Sequence, residues 1–212
     1  SHFLPLNKFS KTIWMTCIKG SIEFFKRVNN YNKRLRFPSI NLNYLSPAGA
    51  SLVHPHVQVL ITENPSHYIK KVIMSCKLHK NKFGLGYFED LVKMEKKLKV
   101  RYIAKLGSIH WVTSFAPTLN HEVIGILKTS CITKLNKSHV KDLAEGISKV
   151  LKAYHNLGIV SVNVSIFSGP IDKRIDSFNC FIKIASRNPH TFNIADRGFM
   201  EEFHEESVIS TM

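Results

Sequence analysis

Several things are scarce in this 212-residue sequence, and each scarcity excludes a class of protein. No apolar run approaches the ~20 residues that a membrane-crossing helix requires, so no spanning segment and no membrane partner is expected. The four cysteines (Cys17, Cys76, Cys131 and Cys180) are far apart and form no Cys-x-x-Cys pair. A disulfide framework is denser than this, which points to reduced thiols and a cytoplasmic address. Acidic residues are few, 15 Asp+Glu against 30 Lys+Arg, leaving a formal charge of +15. That excess suits an anionic partner, whether nucleic acid, a membrane surface or phosphorylated small molecules. No RNA-recognition or zinc-finger pattern accompanies it. The opening Ser1-His2-Phe3-Leu4 has neither an initiator Met nor the apolar core of a signal peptide, as after processing or with residues preceding Ser1. The remaining composition, 44% hydrophobic and 21% charged, is that of a globular chain able to bury a core.

Periodicity divides the chain into helices and strands. Apolar residues at helical spacing run from Leu6 to Asn30, and a strand over 36–42 follows, interrupted by Pro38. An extended run is expected from Leu52 to Thr62, then a polar, mostly helical stretch over 63–98 broken at Gly84-Leu85-Gly86. That glycine pair reads as a turn rather than a phosphate loop, because no strand precedes it. Strands are expected at 100–106, 109–116 and 122–128, then a helix from a Ser138 cap to a Gly158 stop. Further strands at 159–167 and 178–185 precede an acidic tail over 196–212. Positive charge crowds Lys93, Lys96, Lys97, Lys99, Arg101 and Lys105, the pattern of a solvated face. This order predicts an α+β fold with a largely antiparallel sheet flanked by helices.

The chemistry concentrates in Gly49-Ala50-Ser51-Leu52-Val53-His54-Pro55-His56-Val57-Gln58. In an extended chain His54, His56 and Gln58 project to one side, while Val53, Val57, Val59 and Ile61 project to the other. Pro55 lacks an N–H, which puts this stretch at a sheet edge or bulge. A neutral imidazole is a nucleophile that works at pH 7 and can carry a phosphoryl group covalently. The amide of Gln58 can donate to a phosphate oxygen without adding charge. His110, His121, His139, His155, His190 and His204 are scattered without ligand spacing and read as surface or structural residues.

The run Gly49-Ala50-Ser51-x-x-His54-Pro55-His56-x-Gln58 resembles the active-site motif of the galactose-1-phosphate uridylyltransferase family, within the histidine-triad superfamily. Asn43 stands six residues before Gly49, where that family has an Asn contacting phosphate, and His2 with Pro5-Leu6 resembles another of its segments. Trp111 to Lys128 and the helix after Ser138 resemble its second repeat. The resemblance implies two histidine-triad-like repeats sharing one sheet: residues 1–62, a helical connection over 63–98, and a degenerate second repeat over 99–212. It implies a nucleotidyltransferase of carbohydrate (galactose) metabolism, acting on a nucleotide-sugar and a sugar 1-phosphate, and a homodimer. His56 would be the nucleophile and Gln58 would hold the transferred phosphoryl oxygens, with Asn43, Ser51 and His54 toward phosphate. UMP is the expected cargo; an AMP-transferring phosphorylase, or a non-catalytic binder of nucleotide or nucleic acid, are the alternatives.

The same resemblance makes His2 and His54 two ligands of a structural zinc whose other ligands are a Cys pair. The pair is not in this chain, so it precedes Ser1 or the protein binds no zinc. In the second repeat Asn179 and Phe181 stand where relatives carry histidines, and Ser168 where another stands, so the second, iron-type site is expected to be absent. Arg197-Gly198-Phe199-Met200 resembles a sugar-contacting segment with Met200 in place of Glu.

Overall fold

The computed structural model describes residues 3–187 and 198–206. After a turn of 3-10 helix at Leu6–Lys8, the helices are α1 (Lys11–Tyr31), α2 (His67–Phe83), α3 (Tyr87–Leu98), α4 (Lys137–Asn156) and α5 (Phe199–Phe203). The strands are β1 (Phe37–Tyr44), β2 (Gln58–Thr62), β3 (Tyr102–Leu106), β4 (Ile109–Thr113), β5 (Asn120–Ile126), β6 (Ser161–Phe167) and β7 (Phe181–Arg187). All seven strands form one sheet in the order β2-β1-β6-β7-β5-β4-β3, with every pairing antiparallel. The expected α+β architecture is thus present. Among the described residues no helix is long and apolar enough to cross a membrane.

Local sequence explains the helices. Ser10 accepts a hydrogen bond from the Ile13 N–H and starts α1, whose buried residues Trp14, Ile18, Ile22 and Phe25 recur every three or four positions. Ser66 caps α2, Gly84 ends it in the left-handed region, and Gly86 opens α3. The 84–86 glycines therefore make the anticipated turn. The expected Ser138 cap is corrected by two residues: the capping side chain is Asn136, paired reciprocally with His139.

Two layers sandwich the sheet. Helices α1 and α4 cover a face built from Ile40, Leu42, Trp111, Val162, Val164, Ile166, Ile182 and Ile184. The other face carries Val112, Ile126, Phe167, Phe181 and Ala185 beneath α2, α3 and α5. Pro38 does not interrupt β1, because the β6 pairing begins only at Ser39 and Pro38 faces Ile61 of β2 alone. The extended run expected from Leu52 is shorter than the sequence suggests. Residues 51–57 are irregular and pairing starts at Gln58 opposite Asn41, because Pro55 cannot donate to a ladder. All four cysteines are free thiols.

The indole of Trp111 fills a slot between β5 and α4 that leaves no room for a methyl group at either wall. A Cβ on Gly146 of α4 would lie 2.1 Å from the ring, and one on Gly125 of β5 would lie 2.9 Å from it. Gly146→Ala gains about 1 kcal/mol of helix propensity, yet overpacking of this kind costs about 1–3 kcal/mol. The variant should unfold at lower denaturant than the native chain; a higher midpoint would show that the slot is not tight.

Candidate functional site

β1 leaves the sheet at Tyr44 through a tight reversal. Leu45 has a positive φ of 67°, Ser46–Ala48 form one 3-10 turn, and Gly49 adopts φ 80°, a conformation that favours glycine. The chain then crosses an exposed bend carrying Ser51 and His54 before entering β2 at Gln58. Val57, Val59 and Ile61 pack toward the α1/α4 core, whereas Val53 is exposed with the bend.

His56 and Gln58 take up different supports. The Nδ1 of His56 lies 3.2 Å from the His54 carbonyl oxygen. A carbonyl only accepts, so this contact holds the proton on Nδ1 and leaves the Nε2 lone pair for a reacting atom. The two imidazole rings meet nearly edge to face, 5.8 Å between centroids and 72° apart. Gln58 sits within the ladder opposite Asn41, and its side-chain carbonyl oxygen is enclosed without a protein donor.

Across the sheet from Gln58 runs a band of polar side chains on the same face. Register aligns Gln58 with Asn41, Asn41 with Ser165, and Ser165 with Lys183. The next row pairs Asn43 with Asn163. The Asn43 side-chain oxygen accepts from Asn163 Nδ2 at 2.8 Å and from the Phe199 N–H at 3.0 Å. Asn163 Nδ2 also donates to the Ala48 carbonyl at 2.9 Å, anchoring the reversal after β1. Asn163 Oδ1 and Ser165 Oγ are enclosed without partners, so this band retains unmet hydrogen-bonding capacity. At the end of β7, Arg187 donates through Nε to the Pro47 carbonyl at 2.9 Å, and its Nη1 lies 3.3 Å from Glu202. Lys183 and Glu122 form a buried pair at 3.2 Å, with Tyr68 over the ammonium at 4.9 Å.

The sequence-expected residues divide accordingly. His54, His56 and Gln58 share one short segment, with Asn43 on the neighbouring strand, although only Gln58 lies on β2 and the expected alternation of the two histidines along a strand does not hold. Asn43 is buried and its acceptor is already used inside the protein, which leaves its amide N–H groups to offer. Ser51 stands on the exposed bend. His2, His190 and Arg197 lie outside the described residues. Asn179 donates to the Leu127 carbonyl at 2.6 Å, and the ring of Phe181 stacks on Phe167 at 4.8 Å. Ser168 donates to the Gly169 carbonyl and accepts from the Ile132 N–H. Among the described residues no group of three or more His, Cys, Asp or Glu side chains could hold a metal ion. Among the described residues His54 offers one imidazole, where a structural zinc takes four ligands.

His204, expected to be a surface or structural histidine, takes the structural role at this site. It follows α5, is buried between Phe167 and Phe199, and its Nε2 lies 3.2 Å from Asn41 Oδ1. Beside it a cleft of about 470 Å³ opens over the sheet, lined by Ser39, Leu60, Phe167, Met200 and His204. Burial pushes the His204 imidazole down to about 4, because the charged ring would lose its hydration. The unfolded chain then binds a proton at higher pH than the folded one. The contribution of neutral His204 to stability is fully present above about pH 6.5 and is lost as pH falls toward 4, by about 3 kcal/mol. Thermal melts across this range should show the decline in the native protein. His204→Gln keeps an amide donor toward Asn41 without a titrating group, and should flatten the curve between pH 6.5 and 4; an unchanged slope would assign the decline to other groups.

No family model matches the sequence. An uncharacterized protein of Archaeoglobus fulgidus is 30% identical over 209 residues, and the alignment covers 98% of this chain and 62% of that one. The chain therefore spans less than two thirds of the length of the curated relative it matches. Among solved structures, a uridylyltransferase superposes with a TM-score of 0.81 at 18% identity, covering 95% of this chain and 64% of that one. An ADP-glucose phosphorylase from Arabidopsis thaliana, solved with bound ADP-glucose, gives 0.71 at 20% identity over 91% of this chain and 63% of its own. A galt-like protein from the same plant gives 0.72, also at 20% identity, over 91% and 64%. The fold is the one these proteins share.

Proposed function

We propose that this chain is a nucleotidyltransferase of the histidine-triad superfamily, divergent from the galactose-1-phosphate uridylyltransferases, and that His56 carries the nucleotide. The observation that supports this most directly is the His56 Nδ1 contact with the His54 carbonyl, which fixes the tautomer a nucleophilic imidazole needs. The Nε2 lone pair attacks the α-phosphorus of a nucleotide-sugar. An N–P bond forms, the bond from phosphorus to the bridging oxygen breaks, and sugar 1-phosphate leaves with that oxygen. A second sugar 1-phosphate reverses the sequence and releases His56 unchanged. Gln58 is suited to donate to the phosphoryl oxygens as charge builds on them. Asn43 and Ser51 would meet the phosphates, and His54 fixes the nucleophile through its backbone.

UMP is the first cargo to test, by resemblance and by the likeness to the uridylyltransferase. The likeness to a phosphorylase solved with ADP-glucose supports AMP as the second. A zinc held by His54 and His2, a homodimer and a cytoplasmic location belong to the same reading.

Intact-mass measurement at neutral pH after incubation with UDP-glucose, and separately with ADP-glucose, should show one added nucleoside monophosphate. The adduct should be labile in acid and stable in base, as a phosphoramidate is, and absent from His56→Ala. Gln58→Ala should still label, more slowly by roughly 100- to 1,000-fold. A native chain unlabelled by either donor would turn the assignment toward a non-catalytic nucleotide binder.

A further inference from the structure

The end of the sheet opposite His56 carries a second feature. Here the loop after β5 (127–134) and the β6–β7 loop (168–180) meet the C-terminal half of α2 and the turn into α3. Three clefts of about 550, 510 and 500 Å³ lie side by side at this end. The first and second share Lys128, Asp176 and Asn179 in their walls, the second and third share Lys173 and Arg174, and Lys80 lines both the first and the third. Sharing these walls, the three adjoin one another as one grooved surface.

The walls of that groove are basic, and its acids are mostly committed. Arg174 pairs with Asp176 at 2.7 Å, and Asp172 pairs with Arg36 at 3.1 Å. Lys77, Lys80, Lys128, Lys134 and Lys173 have no carboxylate partner among the described residues, and Glu89 is the remaining acid in the lining. Five uncompensated ammonium groups along one concave track attract a chain of negative charges rather than a single ion. Next to Gly84 of the first cleft, the ring of Phe83 is 59% exposed, with His79 against it at 4.7 Å between centroids and the Lys82 ammonium 5.1 Å from its centroid. An exposed aromatic beside a lysine-lined track offers a stacking surface for a base as well as contacts for phosphates. The concavity also argues against a bilayer, which presents a flat surface.

We infer that this groove binds single-stranded nucleic acid, with the five lysines following the phosphates and Phe83 stacking on a base. This surface lies away from His56 and does not depend on nucleotidyl transfer. The walls distinguish neither ribose from deoxyribose, so both strands belong in the test.

Fluorescence anisotropy with a labelled oligouridylate and an oligothymidylate of about 15 nucleotides each, titrated between about 50 and 200 mM salt, reads the inference directly. Five single-strand phosphate contacts give a slope of log K against log salt of about −3.5. The Lys128→Glu/Lys173→Glu variant should lose at least about 10-fold in affinity and shallow the slope by about 1.4. Lys19→Glu/Lys26→Glu, on exposed positions of α1 beneath the opposite face of the sheet, makes the same change in net charge and should lose far less. Phe83→Ala should weaken binding without changing the slope. Matching melting curves establish that the variants fold; if the Glu pair does not, Lys128→Gln/Lys173→Gln gives the same comparison with a smaller loss. Equal losses in the two reversal variants, no binding of either strand at about 50 mM salt, or binding to phosphatidylserine vesicles in place of the oligonucleotides would overturn it.

Discussion

A polar group enclosed between a sheet and its covering layer is costly without a hydrogen-bond partner, and at this site Asn163 Nδ2 and Asn43 Oδ1 find partners in each other and in the backbone. Asn163 holds the carbonyl of Ala48 and the side-chain oxygen of Asn43, and Asn43 in turn receives the first N–H of α5. These three hydrogen bonds tie together the reversal that delivers His54 and His56, the strand beside Gln58, and the short helix that roofs the site. Removing either amide leaves several buried groups without partners, at about 1–3 kcal/mol each. The approach is close enough to require glycine at the helix start: a Cβ on Gly198 would lie 2.5 Å from Asn43 Nδ2.

The two layers are held together by different physics. Against α1 and α4 the sheet presents branched aliphatic side chains and Trp111, so that layer rests on apolar burial and close packing. Against α2, α3 and α5 it presents aromatic rings interleaved with Asn41, Asn43, Ser165 and the Lys183–Glu122 pair. Glu122 also accepts from the N–H and hydroxyl of Thr118, so its charge is not left to Lys183 alone. A buried pair of this kind adds little net stability, yet losing one partner strands the other charge. This layer therefore has a stricter demand for particular residues, and it is the layer beside the cleft.

How legible these features are in the sequence depends on whether their signal is local. Helices α1 to α4 and six of the strands follow from periodicity, and His54-Pro55-His56-x-Gln58 is visible as a motif, whereas the α4 cap lies two residues from the Ser138 the sequence suggests. The start of β2 is not legible, because β1 runs on to Tyr44 against β6 while its ladder with β2 stops at Asn41, opposite Gln58. The alternation within 159–167 marks Val160, Val162, Val164 and Ile166 as core, which makes Ser161, Asn163 and Ser165 look like a wet face. They are fully buried, because α5 and the reversal at Ser46–Ala48 cover them. The acidic tail, whose default is a solvated helix, contributes Glu202 to Arg187 and Glu206 to the first N–H of α2. Positive charge shows the same limit. The visible run at Lys93–Lys105 includes Arg101 paired with Glu95 and Lys96 over Tyr102. The groove lysines come from positions as distant as 77 and 173, so no window of sequence contains them together.

The placement of the two tryptophans has an optical consequence. Trp14 of α1 and Trp111 of β4 both belong to the α1/α4 core, both are almost completely buried, and neither indole N–H has a hydrogen-bond partner. Their emission is that of rings in a dry apolar medium and reports on one side of the sheet. The aromatic groups around the cleft and its roof are phenylalanine, tyrosine and histidine, none of them an indole. Tryptophan emission from this protein, excited selectively, is therefore a gauge of the aliphatic layer alone, and events over Gln58 or beneath α5 lie on its dark side.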